Sequence, residues 1–244
     1  MEFRFLHLYP DLMNLYGSYA NVSVLKRYLE RLGHTVAVEP VPPGEDADLS
    51  GADFLYMGAG TERAEKAAGA AFSRLGAAVR AAAGDGAVML FAGTAMELLG
   101  GSVTEADGDS YAGIGLASFT TVHGTERIVG DVYGHTDLFP EAVVGFMNKC
   151  GRVGGVETPL LTGLNLGFGN SAQRGPEGFH RGNVFASELT GPILVKNPRL
   201  LALVAEAVCA RRGVDLPEER PGDPWAEQGY AVTEAQLRAR AAFS

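Results

Sequence analysis

Apolar positions in the first hundred residues fall into two alternating kinds of run. Phe3 to Leu8 is short and nearly continuous, as are "HTVAVEPV" (34–41), "ADFLYMGAG" (52–60) and "AVMLFA" (87–92). Runs of this length, bounded by Gly, Pro and Asp, predict strands buried on both faces. Between them the apolar spacing becomes helical. Val24, Leu25, Tyr28, Leu29 and Leu32 form one stripe, with Asn21 as its candidate cap and Gly33 suited to the left-handed position that ends a helix. A second helix is predicted through "AEKAAGAAFSRLGAAVRAAA" (64–83), capped by Thr61 and with Glu62 placed to complement the helix dipole. Strands alternating with helices predict an α/β fold whose central, mostly parallel sheet is covered on both faces.

The pattern shifts after residue 101, where shorter runs ("SFTTV", "AVVGFM", "NVFASEL") separated by Gly-rich turns predict strands. "NPRLLALVAEAVCARRG" (197–213) returns to helical spacing, with Asn197 as cap, Pro198 at the tolerated first position and Gly213 after the last turn. Residues 214–244 are rich in Pro, Glu and Arg, with one helical piece at "TEAQLRARAAF". The expected organisation is one domain over residues 1–213 and a peripheral or partner-packing tail over 214–244.

Composition narrows the function classes. The 244 residues carry a formal charge of −9, which disfavours nucleic acid or an anionic membrane as partner. No run of about 18 apolar residues predicts membrane insertion, and Glu2 and Arg4 interrupt any secretory leader pattern, so a cytoplasmic location is expected. The two cysteines, Cys150 and Cys209, stand far apart without a CxxC pattern, so neither a disulfide framework nor a metal site is expected.

The candidate chemistry begins at "MLFAGTAMELLG" (89–100), where an apolar run passes through a tight turn into a short helical pattern. In α/β proteins such an elbow presents a nucleophile. Here it offers Ala92, Gly93, Thr94 and Ala95, with neither Cys nor Ser. Ligand sites in parallel sheets gather at the carboxyl ends of the strands. That places the loop after the first strand, the Gly58-Ala59-Gly60 turn and this elbow together.

Several motifs in order carry a family resemblance. They are "MNLYG" (13–17) followed by Asn21, "GAGTER" (58–63), the elbow ending in Leu99-Gly100, "ERIVGDV" (126–132), "VGFMNKCGR" (144–152), "LGFGN" (166–170) and "GPILVKNP" (191–198). The chain resembles class I glutamine amidotransferases of the CobB/CobQ type, and among them the GatD branch. Those glutaminase subunits pair with a Mur-ligase-like MurT to amidate the peptidoglycan precursor lipid II. The resemblance implies a flavodoxin-like, three-layer fold. It also implies an elbow of the form Cys-Gly-Gly-Tyr-Gln-x-Leu-Gly, which puts the nucleophile position on Gly93, and a catalytic His directly before "GPIL", which is Thr190 here. Glu97 stands for the family's Gln, Lys149-Cys150 for its His-Gly, and Ser18 and Ala20 where Asp and Gly are usual.

Thioester chemistry needs a nucleophile and a base. Gly93 and Thr190 supply neither, so the resemblance implies no intact catalytic set. It further implies that Arg127 holds the glutamine α-carboxylate, though a strand arginine at the surface fits the spacing equally. Gly58, Ala59 and Gly60 would form the oxyanion loop or a plain strand-to-helix turn. Thr94 and Asn148 complete the implied substrate-binding set, with Arg152 nearby in its motif. As replacement groups, Thr94 and Cys150 are candidate nucleophiles and His123 and His180 candidate bases; Cys209 reads as core, and His7, His34 and His135 as structural.

The expected function is a degenerate amidotransferase subunit bound to a MurT-like ligase in conversion of D-glutamate to D-isoglutamine on lipid II. ATP and magnesium would belong to that partner, because no G-x-x-x-x-G-K-[ST] loop occurs here and no cofactor is expected in this chain. Two alternatives stand beside it: an active glutaminase with a displaced nucleophile, and a non-catalytic scaffold or amino-acid-binding protein with glutamine as candidate ligand.

Overall fold

The four apolar runs become parallel strands whose two faces feed two separate cores. The computed structural model describes residues 1–217 and 221–243. In chain order the elements are β1 (Glu2–Leu8), α1 (Ala20–Arg31), β2 (Thr35–Val41), β3 (Phe54–Met57), α2 (Glu62–Gly84), β4 (Val88–Ala92), β5 (Ser102–Thr104) and β6 (Ser110–Ala112). There follow β7 (Thr120–Thr136), β8 (Phe139–Gly154), β9 (Gly163–Leu166), β10 (Phe179–Arg181), β11 (Val184–Ser187), α3 (Ile193–Lys196), α4 (Pro198–Arg211) and α5 (Pro224–Ala241).

The main sheet has the order β10-β11-β4-β3-β1-β2 and is parallel except for β10 at its edge. Alternation along each strand divides the side chains. Phe3, Phe5, Phe54, Tyr56, Val88 and Leu90 face the core shared with α1 and α4. Leu6, Leu8, Leu55, Met57, Met89 and Phe91 face the core shared with α2. A strand buried on both sides cannot alternate apolar with polar, which is why these runs read as continuous.

The second half of the chain forms another sheet, β6-β5-β7-β8, with β9 paired to the outer edge of β7. Its centre is the long antiparallel hairpin of β7 and β8, which breaks register between His123 and Ile128. Helix α5 lies on this sheet: Leu237 packs with Tyr133, Ala142 and Val144, the Tyr133 hydroxyl donates to Glu234 (2.8 Å), and the Tyr230 hydroxyl donates to the Ala142 carbonyl (2.8 Å). Among the described residues no helix is long and apolar enough to cross a membrane.

Of the three expected N-caps, Thr61 holds and Asn21 and Asn197 do not. The Thr61 hydroxyl accepts the Ala64 N–H, and Pro198 opens α4. Asn21, however, lies inside α1, buried, where its Oδ1 accepts the Leu194 N–H and its amide donates to the Tyr56 hydroxyl. Asn197 precedes α4 but caps nothing with its side chain, which bridges both backbone groups of Val144 and the Ile193 carbonyl. Both amides stitch α3 and α4 to distant parts of the chain, which a local spacing argument cannot anticipate.

Candidate functional site

The strand register brings four loops to one edge of the main sheet. Tyr56 lies beside His7, Met57 beside Phe91 and Ser187 beside Ala92, so β1, β3, β4 and β11 all end at this edge. Gly93 follows β4 directly. Ala92 is still extended (φ −115°, ψ 140°), Gly93 swings to φ +65°, and a 3-10 turn runs from Gly93 to Leu99. This is the sharp reversal of an elbow, and a residue other than glycine is strained at that φ.

The position is also filled from outside. A Cβ on Gly93 would lie 2.5 Å from the Ala59 Cβ and 3.1 Å from its Cα. The methyl of Ala59 therefore occupies the space where a side chain at the elbow would begin. Gly58, one residue earlier, is held against the chain of the first loop. A Cβ there would meet the Met13 carbonyl at 2.6 Å and the Ser18 hydroxyl at 2.5 Å.

Hydrogen bonds tie these loops to each other. The Gly60 N–H donates to the Thr94 hydroxyl (3.0 Å), which donates in turn toward the Gly60 carbonyl (3.3 Å). The Ala59 N–H points to the Ser18 hydroxyl (3.4 Å), and the Ala59 carbonyl accepts the Leu15 N–H (2.8 Å). The Ala59 and Gly60 N–H groups are thus engaged within the protein rather than aimed at an open oxyanion position. Thr190 sits at the end of β11, where its N–H and hydroxyl both donate to the Phe146 carbonyl (2.8 and 3.1 Å).

Arg127 and Asn148 come together on β7 and β8. The Arg127 Nε donates to Asn148 Oδ1 (2.7 Å), one terminal nitrogen donates to Glu62 Oε1 (2.8 Å), and the other reaches the Asn148 carbonyl (3.3 Å). The Asn148 amide donates to the Tyr16 hydroxyl (2.8 Å), and Tyr16 itself has a left-handed backbone at φ +60°. The guanidinium has Glu62 as its carboxylate, and because the pair is partly open to solvent its charge attraction is screened. Arg152 donates to the Cys150 carbonyl within its own strand (3.3 Å).

Beneath the elbow lies a layer of buried charge. The Lys149 ammonium is 2% exposed, pairs with Glu188 and donates to the Gly169 and Asn170 carbonyls (3.0 Å each). Next to it Glu177 accepts from the Ser187 hydroxyl and the Glu188 N–H (2.7 Å). Burial pushes the Glu177 carboxyl up to about 7 and raises Glu188 as well, against the pull of Lys149.

A second group joins three elements. Glu97 of the 3-10 turn and His123 of β7 meet at 2.8 Å; Glu65 of α2 lies 3.8 Å from the same imidazole nitrogen and takes a hydrogen bond from the Tyr111 hydroxyl (3.0 Å). Burial opposes the imidazolium, but hydrogen bonds to Cys150 and Glu97 and the charges of Glu97 and Glu65 raise its pKa to about 11. Burial and the neighbouring Glu97 push Glu65 well above the ordinary carboxylate range. The Cys150 thiol donates to Glu62 Oε1 (3.4 Å), and Cys209 is buried in the core of α4.

Sequence reading named Glu97, His123, Lys149 and Cys150 separately but did not join them, and it missed Glu65 and Glu188. One signal for Glu65 was present. It shares the helical stripe of Ala68, Gly69, Phe72, Leu75, Gly76 and Val79, so it is a carboxylate on the core-facing side of α2.

Comparison with known proteins places this geometry. The CobB/CobQ-like glutamine amidotransferase domain matches residues 4–198. The GatD subunit of the glutamine-hydrolysing lipid II isoglutaminyl synthase from Streptococcus pneumoniae is 32% identical over 220 residues, covering 88% of this chain and 84% of that protein. Its counterpart from Staphylococcus aureus is 28% identical over 219 residues, covering 89% of each. Among solved structures, PurLQS from Thermotoga maritima aligns with a TM-score of 0.55 at 14% identity, over 86% of this chain and 97% of that one. A glutamine amidotransferase from the same organism aligns with a TM-score of 0.53 at 13% identity over 99% of both chains. At these identities the structural matches speak for the fold.

Proposed function

This chain belongs to the CobB/CobQ-like glutamine amidotransferase family, and within that family we propose a GatD-like subunit that has kept its partner role and lost glutamine hydrolysis. The role is association with a MurT-like Mur ligase in the amidation of D-glutamate to D-isoglutamine on lipid II. ATP and magnesium would be bound by that ligase. This reading is supported by coverage of most of the chain by the two GatD proteins.

The loss of hydrolysis is carried by one observation: Gly93 turns the elbow at φ +65° with the Ala59 methyl where a nucleophile's Cβ would lie. A thiol cannot attack from a position without a side chain, and Thr190 offers only a hydroxyl far too weakly basic to replace an imidazole near pH 7. Removing both members of such a pair leaves no covalent route. The outward face of α5 offers a candidate partner contact, with Trp225 81% exposed and Val232 also exposed.

The test is a glutaminase assay on the purified chain, alone and co-expressed with a MurT-like ligase. The expected result is a stable complex with no glutamine-dependent ammonia release above background. Free ammonium would then support lipid II amidation by the complex. Glutamine-dependent release that disappears in Cys150→Ala or Thr94→Ala would overturn the reading in favour of a displaced nucleophile.

A further inference from the structure

We propose that Glu65, Glu97 and His123 form a buried site for one divalent cation of the zinc or manganese class, tying the elbow to α2 and β7. The three residues offer two carboxylate oxygens and one imidazole nitrogen, all within 4.8 Å of one another. The imidazole nitrogen is 2.8 Å from Glu97 Oε2 and 3.8 Å from Glu65 Oε2. Nitrogen and oxygen donors at that spacing can close on an ion with bonds of about 2.0–2.2 Å.

A second observation concerns where the free electron pairs point. Glu65 is fully buried, and its Oε2 has no hydrogen-bond partner. An unsatisfied buried carboxylate oxygen costs about 1–3 kcal/mol or more, so the fold holds an acceptor here that it does not use. The Tyr111 hydroxyl takes up the other oxygen, Oε1, and so directs Oε2 toward His123. Glu97 is placed by close packing. A Cβ at position 151 would meet Glu97 Oε1 at 2.6 Å and Oε2 at 2.8 Å, so glycine there leaves room for the carboxylate, whose Oε2 lies 2.8 Å from the imidazole. An outer contact that orients a ligand, as Tyr111 does for Glu65, is a feature of metal centres.

Charge agrees with this chemistry. An ion entering the cluster displaces the protons of Glu65 and His123, and the two ionised carboxylates and neutral imidazole that result carry −2, which one divalent ion neutralises inside a low-dielectric interior. The mixed oxygen and nitrogen donors favour zinc or manganese over calcium, which takes oxygen ligands. The three ligands come from elements far apart in the chain, so Cys and His spacing gave no hint of them. The acidic group Glu105, Asp107 and Asp109 differs in kind, because it lies in a surface turn where solvent reaches it.

The experiment uses the full chain, stripped with chelator and desalted, then titrated separately with zinc chloride and manganese chloride by calorimetry. Metal content after a second desalting is read alongside. The expected result is one equivalent of at least one ion retained and a raised Tm. Glu65→Gln, an isosteric change, is expected to weaken binding by at least about 100-fold, and Glu97→Gln serves as a second variant should the first fold poorly. A surface variant, Glu105→Gln with Asp107→Asn and Asp109→Asn, is expected to bind as the parent does. Retention of less than a tenth of an equivalent of either ion would overturn the site, leaving a proton-sharing cluster. So would binding unchanged by both Glu65→Gln and Glu97→Gln, or binding lost in the surface variant.

Discussion

At the scale of single residues, the elbow is defined by a pair of small side chains rather than by one missing thiol. Gly93→Cys alone adds a side chain at φ +65° and drives its Cβ into Ala59. We expect a loss of about 2–4 kcal/mol from strain and overpacking, read from urea denaturation midpoints. Gly93→Cys with Ala59→Gly is expected to recover at least half of that loss. Equal stability of the single and double variants would show that Ala59 does not control the slot. The buried pair beneath the elbow has the opposite character. Lys149→Met strands the Glu188 carboxylate and two backbone carbonyls, at an expected cost of about 3–5 kcal/mol. Adding Glu188→Gln in the same chain is expected to reduce that cost, and a double-mutant cycle with no coupling would count against the pair. The missing thiol was legible in the sequence. The methyl that fills its place was not, because nothing local reveals that residues 59 and 93 touch.

At the scale of elements, backbone punctuation was readable and tertiary stitching was not. Thr61 begins α2 and Pro198 opens α4 because capping and the missing N–H of proline act within one turn of helix. Asn21 and Asn197 looked like caps by the same rule, yet their amides serve partners 173 and 53 residues away. Asn197→Ala is therefore expected to cost about 2–4 kcal/mol, more than the roughly 1 kcal/mol of a lost helix cap. The difference is measurable by thermal or chemical unfolding, and a loss near 1 kcal/mol would restore the capping reading. Continuous apolar strands were likewise legible, while β7 and β8 were seen only as fragments. Their length comes from pairing along the hairpin, with Gly and polar residues interrupting the pattern on its open face. Glu65 shows how a polar residue on an apolar stripe marks a site before its partners are known.

At the scale of the whole molecule, buried ionisable groups couple stability to pH. His7 of β1 is buried, and its Nε2 has no partner. Burial lowers its pKa to about 4 from an ordinary 6.5, with Asp11 opposing. On unfolding the imidazole regains its ordinary affinity, so between pH 6.5 and 4 the unfolded chain binds more protons than the folded one. Its contribution is therefore complete above pH 6.5 and lost as pH falls toward 4. We expect the parent to lose about 1–3 kcal/mol relative to His7→Leu as pH falls across that window. Denaturant midpoints measured from pH 7.5 to 4 check this, and parallel curves for the two proteins would refute it.

The contact between Gly93 and Ala59 also orders the routes by which this sequence could change. Two substitutions separate the elbow from one that carries a thiol, and their sequence matters. A lineage that gains the cysteine first passes through a crowded, strained protein exposed to purifying selection. One that sheds the methyl first loses only a small contact and opens a vacancy that a later mutation can fill. The route back is therefore directional, with residue 59 as its first step and residue 93 as its second. A drift experiment that starts from a chain with Thr190→His and selects for hydrolysis should find glycine at 59 before cysteine appears at 93.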